Sequence, residues 1–365
     1  MTSPSREPPP KKTSGLSRLP AYFVGSLGIA ALFVWLMRRG GVPILPDVRE
    51  FAHVKWWTVG LYLLSLVVVH WFRAWRWDYL LRPVARVPTS RIIAIAWVGF
   101  FAIMMLPFRA GEVVRPYLIR RDGRVSGSAA LGTIAAERVL DGLFVAILLV
   151  ATLTFIPRLP LDGVVFLGFP MPQLVHYGYL TFALFAGALA TLAVFLAARG
   201  FAERATKAVF GLVSPRLGAV LAAKIGGLAD GLRSLPDPKL MVPFMVQTAI
   251  YWGVNALGMW FLGWGCGLDM HPGHGFAVMG VLAMGILLPQ GPGLFGSFQF
   301  FVYLALRMYF PDAAVRSHGV AYVFLLYGCQ FIFTTATGLG AMFFGHIDPR
   351  NALDGEGEGD VRASS

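Results

Sequence analysis

Charge is scarce in this sequence. Only 14% of its 365 residues are Asp, Glu, Lys or Arg, against about 25% in soluble domains. With 56% hydrophobic residues and a mean hydropathy of +0.65, the soluble class is excluded. An all-α polytopic membrane protein is expected. Cysteine is nearly missing: Cys266 and Cys329 alone exclude a disulfide framework and a thiolate metal site. No Gly-x-x-x-x-Gly-Lys-Ser/Thr loop, nucleophile elbow or His-Glu-x-x-His helix is present, so neither ATP drive nor hydrolytic chemistry is indicated. His271 and His274 stand too far from other ligands to suggest a metal. No polar stretch is long enough for a separate catalytic domain, so neither enzyme activity nor a cofactor is expected. The apolar run at 21–37 is followed by Arg38 and Arg39 with no small-x-small cleavage site, so it reads as a first span and not as a signal peptide.

What is plentiful is positive charge, net +12. In a soluble protein that would suggest nucleic acid. Here it fits basic loops facing anionic lipid on the cytoplasmic side, with no nucleic-acid partner. Residues 1–19 read as a disordered cytoplasmic N-terminus, 20–345 as the transmembrane domain, and 346–365 as a cytoplasmic tail. Six spans are expected, at about 21–37, 56–72, 126–156, 177–198, 241–262 and 322–344. A basic loop follows the second, from Arg73 to Arg91. Residues 199–240 suit either a helix on the membrane surface or a solvated loop helix.

Two apolar runs, at 92–106 and 276–288, are too short. At 1.5 Å per residue the first reaches about 22 Å, below the roughly 30 Å hydrocarbon core. Re-entrant segments are expected. Treating both as re-entrant places 23 Lys and Arg inside and 7 outside, whereas full crossings give 12 and 18, against the positive-inside rule. Both termini then lie in the cytoplasm. Each run ends in Leu-Pro-x-x-x-Gly: Leu106–Gly111 and Leu288–Gly293. The halves, about 20–156 and 177–345, read span, span, broken run, span, and start from opposite sides. Paired broken helices in inverted halves point to a transporter-type site. Broken backbone at membrane depth must be buried in protein or line a cavity.

Ionisable groups cluster beside the first break. Arg109, Glu112 and Arg115 follow at helical spacing, and Glu137, Arg138 and Asp141 share a long helix. Each costs about 2.5–3.5 kcal/mol at membrane depth on insertion scales. They are kept there only by pairing, by lining a wet cavity, or by handling a polar substrate. A solvated loop is the plain alternative for the first trio, and an internal salt bridge for the second. A guanidinium matches phosphate oxygens with its planar fork, and a neighbouring carboxylate would hold it while the site is empty. Arg76, before Trp77, reads as an interface anchor or a guide for an anionic headgroup. Pro289, Gly291, Gly293 and Gly296 would let the second break approach a ligand, or serve close helix packing. Gln299 and Asn255 are polar groups in apolar runs that face the same cavity or bond between helices.

LPFRAGEVVRPYL (106–118), AAERVLDGL (135–143), the Arg76-Trp77 pair and LPQGPGLFGSFQ (288–299) together resemble the lysylphosphatidylglycerol synthase transmembrane region, the flippase-like integral membrane proteins. Arg109, Gly111, Glu112 and Arg115 fall on the family's first motif. Glu137, Arg138 and Asp141 fall on its second. The resemblance implies a bacterial or archaeal cell-membrane protein whose best understood relatives translocate an aminoacylated phospholipid. Those relatives carry a cytoplasmic synthetase; with about 20 residues after the last span, none is expected in this sequence. A lipid translocator is expected, with Arg109, Arg115 and Arg138 neutralising the phosphate and Glu112, Glu137 and Asp141 orienting them or accepting a headgroup amine. The alternatives are a membrane subunit serving a separate transferase in a lipid-modifying or glycan-lipid pathway, and a small-solute transporter.

Overall fold

The computed structural model describes residues 19–43, 45–106, 111–121, 125–212, 214–288, 290–345 and 347. The protein is an α-helical multi-pass membrane protein. Among the described residues, five helical stretches are long and apolar enough to cross a bilayer: Trp56–Leu81, Gly127–Phe155, Met171–Ala197, Pro238–Gly265 and His318–Phe344. The shortest has 26 residues, about 39 Å at 1.5 Å per residue, enough for a hydrocarbon core of roughly 30 Å.

The chain begins with α1 (Leu19–Arg39). α2 (Trp56–Trp75) does not stop at residue 72. It continues past Arg76 into α3 (Trp77–Leu81), so the basic loop expected from Arg73 is helical in about its first half. The reason is burial: Arg76 finds acceptors inside the protein, so these charges need not leave the bundle.

α4 (Thr89–Met105) is 17 residues, about 25 Å. The return segment is α5 (Val114–Arg121). Gly111 rests on the backbone of Ala102 and Ile103, and the Arg115 side chain packs on Gly99. A Cβ at Gly111 would collide with backbone, so the close return needs glycine there. Arg91 donates to the Gly345 carbonyl (3.0 Å), while Arg120 packs on Gly127, the first residue of α6 (Gly127–Phe155). The α4–α5 hairpin thus opens at the N-terminal end of α6. The Ser126 hydroxyl caps α6 by accepting from Ala129 N, satisfying a donor that an apolar environment would leave bare.

A small antiparallel pair, β1 (Val165–Phe166) and β2 (Phe169–Pro170), leads into α7 (Met171–Ala197). α7 lies along α6 and buries only Met171, Leu174 and Gly178. α8 (Arg199–Gly211) and α9 (Pro215–Gly231) form a helical hairpin. α8 buries no residue, whereas α9 crosses α6 where Gly231 meets Gly132.

α10 (Pro238–Gly265) packs antiparallel to α2, with Lys55 N donating to Gly265 O. α11 (Pro272–Ile286) has 15 residues, about 22 Å. α12 (Ser297–Tyr309) comes back along it, with Phe301 on Gly285. The His274 ring lies 5.0 Å from both Tyr309 and Phe310. Gly273 meets Ile156 and Leu159 N donates to Met308 O. This hairpin opens at the C-terminal end of α6, opposite the first. α13 (Asp312–Arg316) and α14 (His318–Phe344) close the fold.

Two apolar cores result. The larger joins α2, the second half of α6, α10, α11, α12 and α14 around Tyr62, Leu149, Met259 and Phe301. The smaller joins α3, α4, α5 and the first half of α6 around Trp77, Val98, Ile119 and Ala130.

Candidate functional site

Glu137 is the hub of a buried ion-pair network and is fully buried itself. Arg115 on α5 donates to both its oxygens, at 3.0 Å each. Arg138 donates to Oε1 at 2.8 Å and Arg76 at 3.5 Å. One turn along α6, Asp141 accepts from Arg76 (2.6 Å) through Oδ2 and from the Tyr251 hydroxyl (2.8 Å) through Oδ1. Arg76 also donates to Thr248 Oγ1 (2.7 Å). Helix period makes this possible: residues 137 and 141 share a face of α6, turned toward α2 and α5.

Aromatic rings box in the cations. Arg115 lies 4.9 Å from the Trp77 ring, and Arg76 lies 4.7 Å and 4.6 Å from Phe244 and Tyr251. Trp77 Nε1 donates to Thr133 Oγ1 (3.1 Å). Such contacts desolvate a guanidinium onto a ring face. Arg76 and Arg115 have no exposed surface, so they hold α2, α5, α6 and α10 together and do not face open space.

Beside this network lies a cavity of about 480 Å³. At one end it is lined by Arg73, Glu112, Arg138, Asp141 and Tyr251; toward the other it is lined by Leu66, Leu149, Met259, Met279 and Leu282. The helical span from Arg138 to Leu149 sets the length of this polar-to-apolar gradient at about 16 Å. Arg73 is half-buried and its guanidinium lies 4.2 Å from the Phe100 ring. It makes no ion pair or hydrogen bond among the described residues. Among the described residues of this region, four guanidiniums (Arg73, Arg76, Arg115, Arg138) and three carboxylates (Glu112, Glu137, Asp141) come together, and Arg73, Glu112, Arg138 and Asp141 of these line the cavity.

The expected site residues divide accordingly. Glu112, Arg138, Asp141 and Asn255 line the cavity. Arg76, Arg115 and Glu137 form its rigid backing. Gly111 serves the α4–α5 turn. Gly291 packs on Ala30 and Ser26 of α1, Gly293 O accepts from Tyr327 (2.9 Å), and Gly296 faces Ala30 and Phe33. Gln299 accepts from Gly296 N (2.8 Å), capping α12. These four serve packing and turn geometry, not the cavity. Arg109 and Pro289 lie outside the described residues.

Arg73 and Tyr251 are the additions. Arg73 follows His70 by one turn, and Tyr251 precedes Asn255 by one turn, so each pair shares a helix face. Extending α2 by a single turn would have revealed the first pair. Among the described residues no group of three or more His, Cys, Asp or Glu is placed to hold a metal ion.

A multi-pass helical protein with a charged, half-apolar cavity inside its bundle is the class these features define. The family model described as the lysylphosphatidylglycerol synthase TM region matches residues 23–338. The chain belongs to that family, and what it shares with it is the transmembrane region. No curated protein and no solved structure matches.

Proposed function

We propose that this protein is a flippase-like lipid translocator that takes the headgroup of an anionic phospholipid into the cavity. The observation that carries this reading is the pairing of Arg73, unsatisfied by any described acceptor, with Arg138 at the polar end of a cavity whose other end is apolar. A guanidinium fork matches a phosphodiester. Arg138 is steered by Glu137, and Asp141 is already held by Arg76 and Tyr251. Acyl chains leave between α7 and α11, where Phe185 and Leu287 line the wall.

In this reading α1 is a sixth crossing and both termini are cytoplasmic. The α4–α5 and α11–α12 hairpins are the re-entrant arms of inverted halves. Their openings at opposite ends of α6 support that arrangement. A chain of lipids is favoured over a small solute because most of the cavity wall is apolar, which a small polar solute does not need. A separate transferase partner is compatible with the same cavity.

The test is a leaflet-exposure assay in proteoliposomes containing a fluorescent anionic phospholipid. Wild type should equilibrate the probe, and Arg73→Gln with Arg138→Gln should slow it by at least about tenfold, as expected for losing charge-assisted bonds. Folded wild-type protein that moves no lipid would refute the proposal.

A further inference from the structure

α8 leaves the end of α7 with a single residue, Ala198, between them, so it starts at the edge of a bilayer-spanning helix. In the hairpin it packs on α9: Gly226 lies against Glu203 and Arg199, and Gly218 against Lys207 and Gly211. α9 in turn is seated on α6, with Gly132 facing the Leu228 carbonyl and Gly231 facing the Ala129 carbonyl. Backbone meets backbone there, so α9 cannot slide without α6. α8 itself buries no residue. Phe201 is 70% exposed, Val209 59% and Leu212 89%. Phe201, Ala205, Ala208 and Leu212 recur at the spacing of one helix face, and Val209 borders it. Leu217 and Val220 continue the exposed apolar surface on α9. A contiguous apolar surface of this kind, rimmed by polar residues, marks an interaction site.

The charge beside this face is positive. Residues 199–231 hold five Lys or Arg and two carboxylates. Both carboxylates are engaged by Arg199, which donates to Glu203 (2.7 Å) and reaches Asp230 (2.8 Å). Arg204 and Lys207 are exposed and follow one edge of the apolar face, and Arg216 is exposed at the start of α9. We infer that α8 lies in the boundary between headgroups and acyl chains of an anionic leaflet. Phe201, Ala205, Ala208 and Leu212 turn to the chains, and Arg204, Lys207 and Arg216 sit among the phosphates. In such a helix apolar burial and attraction to anionic lipid act together, and each basic residue near the surface adds to the attraction. This choice resolves the two readings that the sequence leaves open for residues 199–240, and it is independent of what the cavity binds. Because α9 is locked to α6, the hairpin also fixes the height of α6 against the phosphates. Arg138 lies six residues beyond Gly132, about 9 Å along that helix.

The test places the photoreactive residue p-benzoylphenylalanine at Phe201 or at Leu212 in the full-length protein, reconstituted into vesicles of equal phosphatidylglycerol and phosphatidylcholine. Irradiation should attach lipid at both positions. The same residue at half-buried Thr206, on the other side of α8, should attach within the protein. At Phe201 and Leu212, phosphatidylglycerol adducts should outnumber phosphatidylcholine adducts about fivefold, the enrichment that one basic residue near the surface supplies. Arg204→Gln with Lys207→Gln and Arg216→Gln should bring that ratio close to one while lipid is still attached. Raising the salt concentration with the cations intact should lower the ratio in the same way, and serves if the triple variant misfolds. Crosslinks to a second copy of the chain, or no lipid adduct at either position, would overturn the inference. So would equal labelling of the two lipids, or an enrichment that neither the variant nor salt reduces. The cavity reading stands or falls separately, on lipid transfer.

Discussion

The α4–α5 hairpin is tied to the bundle by charge, and the α11–α12 hairpin by volume. In the first, Arg115 reaches from α5 to both oxygens of Glu137. In the second, α12 buries a run from Ser297 to Leu306 without an ion pair among the described residues. Both place a glycine where a side chain would collide. The difference lies in what each neighbours. The charged hairpin backs the polar end of the cavity, and α11 forms much of its apolar wall. One hairpin holds cations in fixed positions, and the other contributes an apolar surface to the cavity.

The largest expected effect comes from breaking the charged side. Glu137→Gln would leave Arg115, Arg138 and Arg76 facing a neutral amide in a buried site. Removing one partner of such a pair costs about 3–5 kcal/mol, so thermal unfolding in detergent should shift sharply downward. Arg76→Gln should fall in the same range by exposing Asp141 to burial without its cation. If either variant unfolds like wild type, the network is not what holds the first hairpin.

On the apolar side the sensitive point is backbone. Gly296 has φ of +85°, and its missing Cβ faces the Ala30 carbonyl and Phe33. Gly296→Ala should cost about 1–3 kcal/mol from the backbone conformation alone. Gln299→Leu, which removes the acceptor for Gly296 N, should cost about 1 kcal/mol. Neither should alter which lipids bind, and a change in headgroup preference would break the division drawn between the hairpins.

Much of this organisation is legible in the residues themselves. Length against bilayer thickness identifies the two short runs, and helical spacing pairs Glu137 with Asp141. Spacing alone leaves Arg115 open between substrate handling and a solvated loop, and Glu137 between substrate handling and an internal salt bridge, because spacing along one helix says nothing of what faces it. The long-range contacts bring the two into one ion pair. Arg76 and Asp141 are 65 positions apart, and Tyr251 and Asp141 are 110 apart. The glycines at 291, 293 and 296 show the same limit: a flexible break serves a ligand or a neighbouring helix equally well, and here α1 and α14 are the neighbours. Arg73 was hidden by a rule that usually works, that arginines mark the end of a span. It fails where the helix continues into a buried network.

The smallest expected effect on stability belongs to Arg73, and for that reason it is the sharpest test of the comparison. Its guanidinium meets the Phe100 ring and no described acceptor. Arg73→Gln should therefore change unfolding by no more than about 1 kcal/mol, the scale of a single cation–π contact. Lipid transfer should fall nonetheless, because the cavity loses a cation that is ion-paired to no described residue. Arg76, one turn away on the same helix, should behave in the opposite way, with stability lost before any transport measurement is possible. Arg73→Lys refines the point: it keeps the charge but not the planar fork, so partial transfer should remain if charge dominates and little if bidentate geometry does. An Arg73→Gln protein that is as unstable as Arg76→Gln would mean that this cation, too, is structural, and the cavity would lose its claim to a phosphate.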